Sequence, residues 1–117
     1  MILRNFKLSE FDSPDQPGSG SKMQESTLEM IDNARDLADV PFIINSGYRT
    51  EAHNILVKGS PTSSHLTGYA ADIAVNQWNR DRIMGGLISA GFRRMGIART
   101  FVHVDNDPVK PNATWYY

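Results

Sequence analysis

One long stretch of the chain carries a helical period. Met23, Thr27, Met30, Ile31, Ala34, Leu37 and Ala38 fall on one face of a helix expected from about Lys22 to Asp39. Ser21 followed by Gln24 matches a capping box at its start, and Pro41 stops it. The short β-branched run Phe42-Ile43-Ile44-Asn45 then predicts a buried strand leading into Ser46-Gly47-Tyr48-Arg49. Thr50 can cap a short helix from Glu51 to about Val57, closed by Lys58-Gly59. After Gly68, the residues Tyr69, Ala71, Ile73 and Val75 alternate with Ala70, Asp72 and Ala74, which predicts a strand with Asp72 on the face opposite Ile73. Asn79 starts a helix using Ile83, Leu87 and Ala90, and Gly91 ends it. The segments Arg93 to Ala98 and Phe101 to Asp105 form a closing strand pair. On the second of these Phe101, His103 and Asp105 share a face that looks at a cleft, while Val102 and Val104 look at the core. Residues 11–20 mix turn formers without apolar period, so they read as an irregular surface segment and the most mobile part. Trp115, Tyr116 and Tyr117 read as a packed terminal segment rather than a ligand platform.

Composition narrows this pattern to one small unit. A chain of 117 residues with 40% hydrophobic residues has room for one core, so residues 1–117 are expected to form a single domain and a monomer. The net charge of -1, with both signs interspersed, gives no footprint for nucleic acid or for an anionic membrane. With no cysteine, any metal must be held by His, Asp or Glu. Residues 1–6 contain no secretory pattern, and no apolar run approaches the roughly 20 residues of a membrane span. The expectation is a chain made in the cytoplasm.

Candidate chemistry concentrates in three segments: Ser46-Gly47-Tyr48-Arg49-Thr50, Ser64 to Asp72, and Phe101 to Asp105. A catalytic zinc takes three protein ligands and keeps one position for water, whose pKa falls to about 7. His65, Asp72 and His103 supply that count. Seven steps along a straight strand would put His65 and Asp72 on opposite faces, and Gly68 offers the turn that can bring them together. Arg49 adds a guanidinium that keeps its charge and can present two donors to a developing oxyanion. Each residue alone also has an ordinary reading: a hydrogen-bonded histidine, a capping carboxylate, a salt-bridged arginine. His53 stays with the ordinary reading, because its short helix carries no second ligand at helical spacing.

Taken together and in order, Ser46-Gly47-Tyr48-Arg49, Ser64-His65-x-x-Gly68-x-Ala70-x-Asp72 and Phe101-Val102-His103-Val104-Asp105 resemble the zinc D-Ala-D-Ala carboxypeptidases and related peptidoglycan peptidases, in particular their small phage and bacterial members. The resemblance runs from about Phe6 to Trp115. It implies an α+β fold with helices packed against a small antiparallel sheet, the hedgehog/DD-peptidase-like zinc fold. It implies zinc on His65, Asp72 and His103, an oxyanion contact from Arg49, and a substrate-binding hydroxyl at Ser64, where loop capping is an equal reading. The implied substrate is a peptidoglycan stem peptide or cross-bridge, reached at the bacterial wall after release or phage-mediated delivery.

One position departs from that pattern. Many relatives place Glu or Asp three residues before the last histidine as general base, and Thr100 stands there. Asp105 is the first substitute, with orientation of a ligand as its other reading, and Asp107 and Glu51 are further candidates. Without a base the chain reads as a zinc-stabilised module that binds cell-wall peptide or protein. Within the enzyme reading, a bond such as L-Ala-D-Glu is the alternative to D-Ala-D-Ala.

Overall fold

The structure, a computed structural model, describes residues 1–117. In chain order its elements are α1 (Glu25–Ala38), β1 (Ile44–Ser46), α2 (Glu51–Leu56), β2 (Ala70–Ala74), α3 (Arg80–Ser89), β3 (Arg94–Ile97), β4 (Phe101–Asp105) and β5 (Ala113–Tyr116), preceded by 3-10 turns at Leu8–Phe11 and Ser19–Lys22. None of the helices is long and apolar enough to cross a membrane.

Alternation along β2 and β4 decides where the core lies. Ala71 and Ile73 on one strand, and Val102 and Val104 on the other, are fully buried. They pack with Leu28, Ile31 and Ala34 of α1 and Ile83 and Leu87 of α3 in one apolar cluster. Each such Ile or Leu stabilises the fold by about 1.5–3 kcal/mol relative to exposure. Helices α1 and α3 therefore cover one face of the sheet and the polar alternates occupy the other, whereas α2 adds no residue to this cluster.

The sheet order is β1-β2-β4-β3-β5. Its first four strands pair antiparallel, whereas β5 runs parallel to β3. The architecture is the expected α+β, but the sheet is mixed because the chain crosses from β4 to the far side of β3 before adding its last strand. Trp115 and Tyr116 thus belong to a strand and Tyr117 follows it, and the three are not the packed segment expected, since Tyr116 is 78% and Tyr117 69% exposed. Register places Ser46 opposite Asp72, Asp72 opposite His103, His103 opposite Gly96, and Gly96 opposite Trp115. One row across all five strands carries the polar chemistry. Gly96 has to lack a side chain, since a Cβ there would stand 2.5 Å from Trp115 Nε1.

Three features differ from expectation. Helix α1 begins at Glu25 with Gln24 as its cap, and Ser21 instead donates from its hydroxyl to Gly18 O within a 3-10 turn. Gln24 is tethered elsewhere, its N–H donating to Gly68 O and its side chain to Thr67 O, which fixes the helix start. Strand β1, no longer than Ile44–Ser46, is an edge rather than a buried strand: Phe42 and Ile44 turn to the core, while Ile43 between them faces away and is 66% exposed. Residues 11–20 are tied down rather than loose. Asp12 accepts N–H bonds from Gly18 and Gly20, while Phe11, Ser13 and Ser19 are buried. Helix α2 follows its reading, with Thr50 Oγ1 accepting from His53 N.

Replacing Gly96 by Ala should leave a folded protein but displace Trp115, costing about 1–3 kcal/mol of overpacking and lowering Tm by roughly 4–15 °C. Tryptophan emission should shift with it, because Trp78, at 83% exposed, already reports bulk solvent. An unchanged spectrum would show that Trp115 does not depend on the gap.

Candidate metal centre

His65 leaves a loop in which Gly68, at φ 79, takes a left-handed turn before β2 begins. This turn reverses the face on which the later side chains emerge, and brings His65 and Asp72 together. The His65 ring is buried, with Nδ1 2.7 Å from Gly47 O and Nε2 3.2 Å from Asp72 Oδ1. A carbonyl oxygen only accepts, so Nδ1 carries the proton and the Nε2 lone pair faces the carboxylate. His103, directly across from Asp72 in the register, places Nδ1 2.9 Å from the same Oδ1 and Nε2 2.7 Å from Asp105 Oδ2. One carboxylate oxygen is thus flanked by two imidazole nitrogens.

Charge settles accordingly. Burial works against the Asp72 carboxylate, but hydrogen bonds and charge from the two imidazoles outweigh it and hold its carboxyl far below the usual range. Burial likewise opposes charge on His103, yet Asp105 and Asp72 on either side raise its pKa above the ordinary value. Asp105 is buried too, and His103 and Arg94 keep its carboxyl low.

The three donor groups lie within 4.8 Å of one another. A tetrahedral ion with ligand bonds of about 2.0–2.1 Å separates its donors by roughly 3.3 Å, close to the distances found around Asp72 Oδ1. Two neutral imidazole lone pairs aimed at one carboxylate oxygen are relieved by a cation between them, and each ring has its other nitrogen already anchored, as metal-binding histidines usually do. The residues fit a metal ion that favours nitrogen and oxygen ligands.

Arg49 lies beside this cluster. Its Nε donates to Ser46 Oγ at 3.0 Å, Nη1 to Asn54 Oδ1 at 3.2 Å and Nη2 to Asp72 Oδ2 at 3.3 Å. The guanidinium is held on three sides. Residues 11–20 brace it from behind, through Tyr48 N donating to Phe11 O and Thr50 Oγ1 donating to Asp15 Oδ2.

A cleft of about 370 Å³ opens over the cluster. Ser60 and Ser63 line it, whereas no residue of 12–20 does. Trp115 and Tyr117 form part of its wall, with the Trp115 ring 5.5 Å from that of His103. Ser64 Oγ is buried, donating to Asp107 Oδ2 and accepting from Lys110 Nζ. Asp105 reaches the cleft, but Oδ2 is taken by His103 and Oδ1 by Arg94 Nε at 2.7 Å. Thr100 sits exposed in the β3–β4 turn, Glu51 lines a separate cavity under α2, and Asp107 lies outside the cleft. His53 lies outside it as well.

Residues that the sequence reading missed are the holders: Ser46 and Asn54 for Arg49, and Arg94 for Asp105. Arg94 was accessible in principle, because a β3–β4 hairpin written in register sets it opposite Asp105.

Residues 4–105 match the family model described as Peptidase M15. No curated protein matches the chain at a significant level.

A metal ion held by this cluster would compete with a proton, with opposite dependence on pH. In metal-free protein the raised His103 pKa contributes stability that is fully present below about pH 6.5 and lost as pH rises through the folded value. The depressed Asp72 and Asp105 carboxyls contribute above about pH 4 and lose it as pH falls. Metal-free protein should therefore lose stability above neutral pH, while added zinc, which needs neutral imidazoles, should restore it increasingly there, by about 2.7 kcal/mol at a hundredfold excess over Kd. Thermal melts with and without chelator across pH 5.5–9 check this, and parallel curves would exclude a metal at His103.

Proposed function

Because the chain belongs to the Peptidase M15 family, the zinc D-Ala-D-Ala carboxypeptidase-like peptidases, we propose that it is a zinc peptidase acting on peptidoglycan stem peptides or cross-bridges at a D-Ala-D-Ala type bond. We assign His65 Nε2, Asp72 and His103 Nδ1 as the zinc ligands. The observation that carries this reading is the convergence of both imidazoles on Asp72 Oδ1 beside a pinned Arg49.

When bound, zinc supplies Lewis acidity and a hydroxide nucleophile at neutral pH. Arg49 then binds the scissile carbonyl oxygen: Ser46 and Asn54 keep the guanidinium in place while Nη2 turns from Asp72 to the oxygen as its charge grows. Asp105 acts through His103, accepting a hydrogen bond from Nε2–H and so fixing the tautomer that leaves Nδ1 free. Ser64 holds the Asp107–Lys110 loop against the cleft wall.

Arg49→Lys should lower kcat by about 10²–10³ with zinc content retained, since a point charge lacks the planar fork. Unchanged turnover would remove its oxyanion role. Asp105→Asn should weaken zinc about 10–100-fold and leave zinc-saturated protein with most of its kcat. The opposite result, intact zinc affinity with turnover lost, would make Asp105 the general base.

A second reading has its own observation. Asp72 and Asp105 are the carboxylates lining the cleft, and both are engaged. A zinc-stabilised module that binds wall peptide without cutting it would need no free base. Incubating zinc-loaded protein with purified peptidoglycan and defined muropeptides, beside a His103→Ala control, decides between them by mass spectrometry. Fragments absent from the control would establish the peptidase and name the bond. Intact muropeptides with one equivalent of zinc bound would establish the binding module.

A further inference from the structure

Helix α2 ends in a Schellman motif. Gly59 N–H donates to Asn54 O at 2.8 Å and Lys58 N–H to Ile55 O at 3.0 Å, which places Lys58 at the position where the chain turns left-handed, at φ 59. Glycine is the usual residue there, because a Cβ is strained at positive φ. The neighbouring glycine cannot be exchanged for it: a Cβ on Gly59 would stand 2.0 Å from Asn54 Oδ1 and 3.1 Å from Arg49 Nη1. The chain thus accepts a strained lysine next to an obligatory glycine, beside the group that holds Arg49.

That lysine lines the same cleft as His65, Asp72 and His103. The other cations of the cleft are committed. Arg49 is bound to Asp72 and Arg94 to Asp105. Lys110 Nζ donates to Thr62 O and Ser64 Oγ, both at 2.7 Å, with Asp107 3.9 Å away. Lys58 has no ion-pair or hydrogen-bond partner for its ammonium. Four cations face two carboxylates in this cleft, before any metal charge is added.

We propose that Lys58 is a specificity residue that binds a free carboxylate of the peptide substrate. This rests on the peptidase reading for the nature of the substrate, and it names the substrate class: peptides carrying an unamidated carboxyl group near the bond that is cut. A stem peptide offers two sources, its C-terminal carboxylate and the side-branch carboxylate of its D-glutamyl residue.

The Lys58→Gly substitution makes the test clean, because it removes the ammonium while relieving the backbone. Zinc-loaded wild type, Lys58→Gly and Lys58→Arg are compared on the pentapeptide L-Ala-D-Glu-L-Lys-D-Ala-D-Ala, on its C-terminal amide, and on the peptide with D-Glu replaced by its amide. KM and kcat are read where a peptide is cut, and Kd by calorimetry where none is. Wild type should favour the acid over one of the two amides by about tenfold, the value of one charged hydrogen bond. Lys58→Gly should abolish that preference through KM, with kcat within twofold and Tm equal or higher, and Lys58→Arg should keep it. The amide that loses affinity in wild type names the carboxylate. A preference that survives in Lys58→Gly, or wild type indifferent to both amides, overturns the proposal. Cleavage without acid preference would sink it and leave the peptidase standing. Acid-selective binding without cleavage, lost in Lys58→Gly, would do the reverse.

Discussion

Two imidazoles and a carboxylate brought together under the protein surface constitute the constraint around which this chain is organised. Left to themselves, the groups would hydrate separately, and burial would penalise every charged form. The fold overcomes this by anchoring the far nitrogen of each ring, His65 on a backbone carbonyl and His103 on Asp105. Both near nitrogens then have no choice but to face Asp72 Oδ1. The anchors have anchors of their own: Asp105 is bound by Arg94, which lies over the Trp115 ring at 5.1 Å. Removing an outer member would loosen the inner ones in turn, so the site is a chain of dependent contacts rather than three independent side chains.

The sheet makes this chain of contacts possible at so small a size. A single register row passes through Ser46, Asp72, His103, Gly96 and Trp115. Strand spacing is about 4.8 Å, which sets cross-strand side chains at contact distance without any loop having to be placed. Only His65 and Arg49 come from loops. Each is tied to the row, His65 through the left-handed Gly68 and Arg49 through Ser46 and Asp72.

How legible this was depended on whether the signal was local. The faces of β2 and β4 could be read because strand parity is a two-residue property, and the same parity put His103 and Asp105 together. The cap at Thr50 was equally local. By contrast Ser21 and Gln24 satisfied a capping pattern that Gln24's bonds to Thr67 and Gly68 overrode, since those partners lie some forty positions away. Residues 11–20 looked loose for the same reason: turn formers describe the local path but not the partners, and here Ser13 and Asp15 meet Thr50 across the fold. Strand β5 pairs in parallel with β3, a long-range choice that no hairpin signal announces. Ser46 and Asn54 have no motif at all, because what makes them matter is the position of Arg49.

Arg49 shows what this arrangement can do chemically. A guanidinium close to a metal dication would be repelled, and its contact with Asp72 offsets that repulsion before any substrate arrives. The contact at 3.3 Å is long for a charge-assisted bond, whose usual range is about 2.7–2.9 Å, so it restrains Nη2 without saturating it. Ser46 and Asn54 hold the other two nitrogens, so the group can change its third partner without losing its place. A carbonyl oxygen gathering negative charge is a better partner than a carboxylate already shared with two imidazoles. For a carbonyl placed beside Arg49 the preference would therefore grow as charge develops on its oxygen, which is the condition for accelerating a reaction rather than merely binding its substrate.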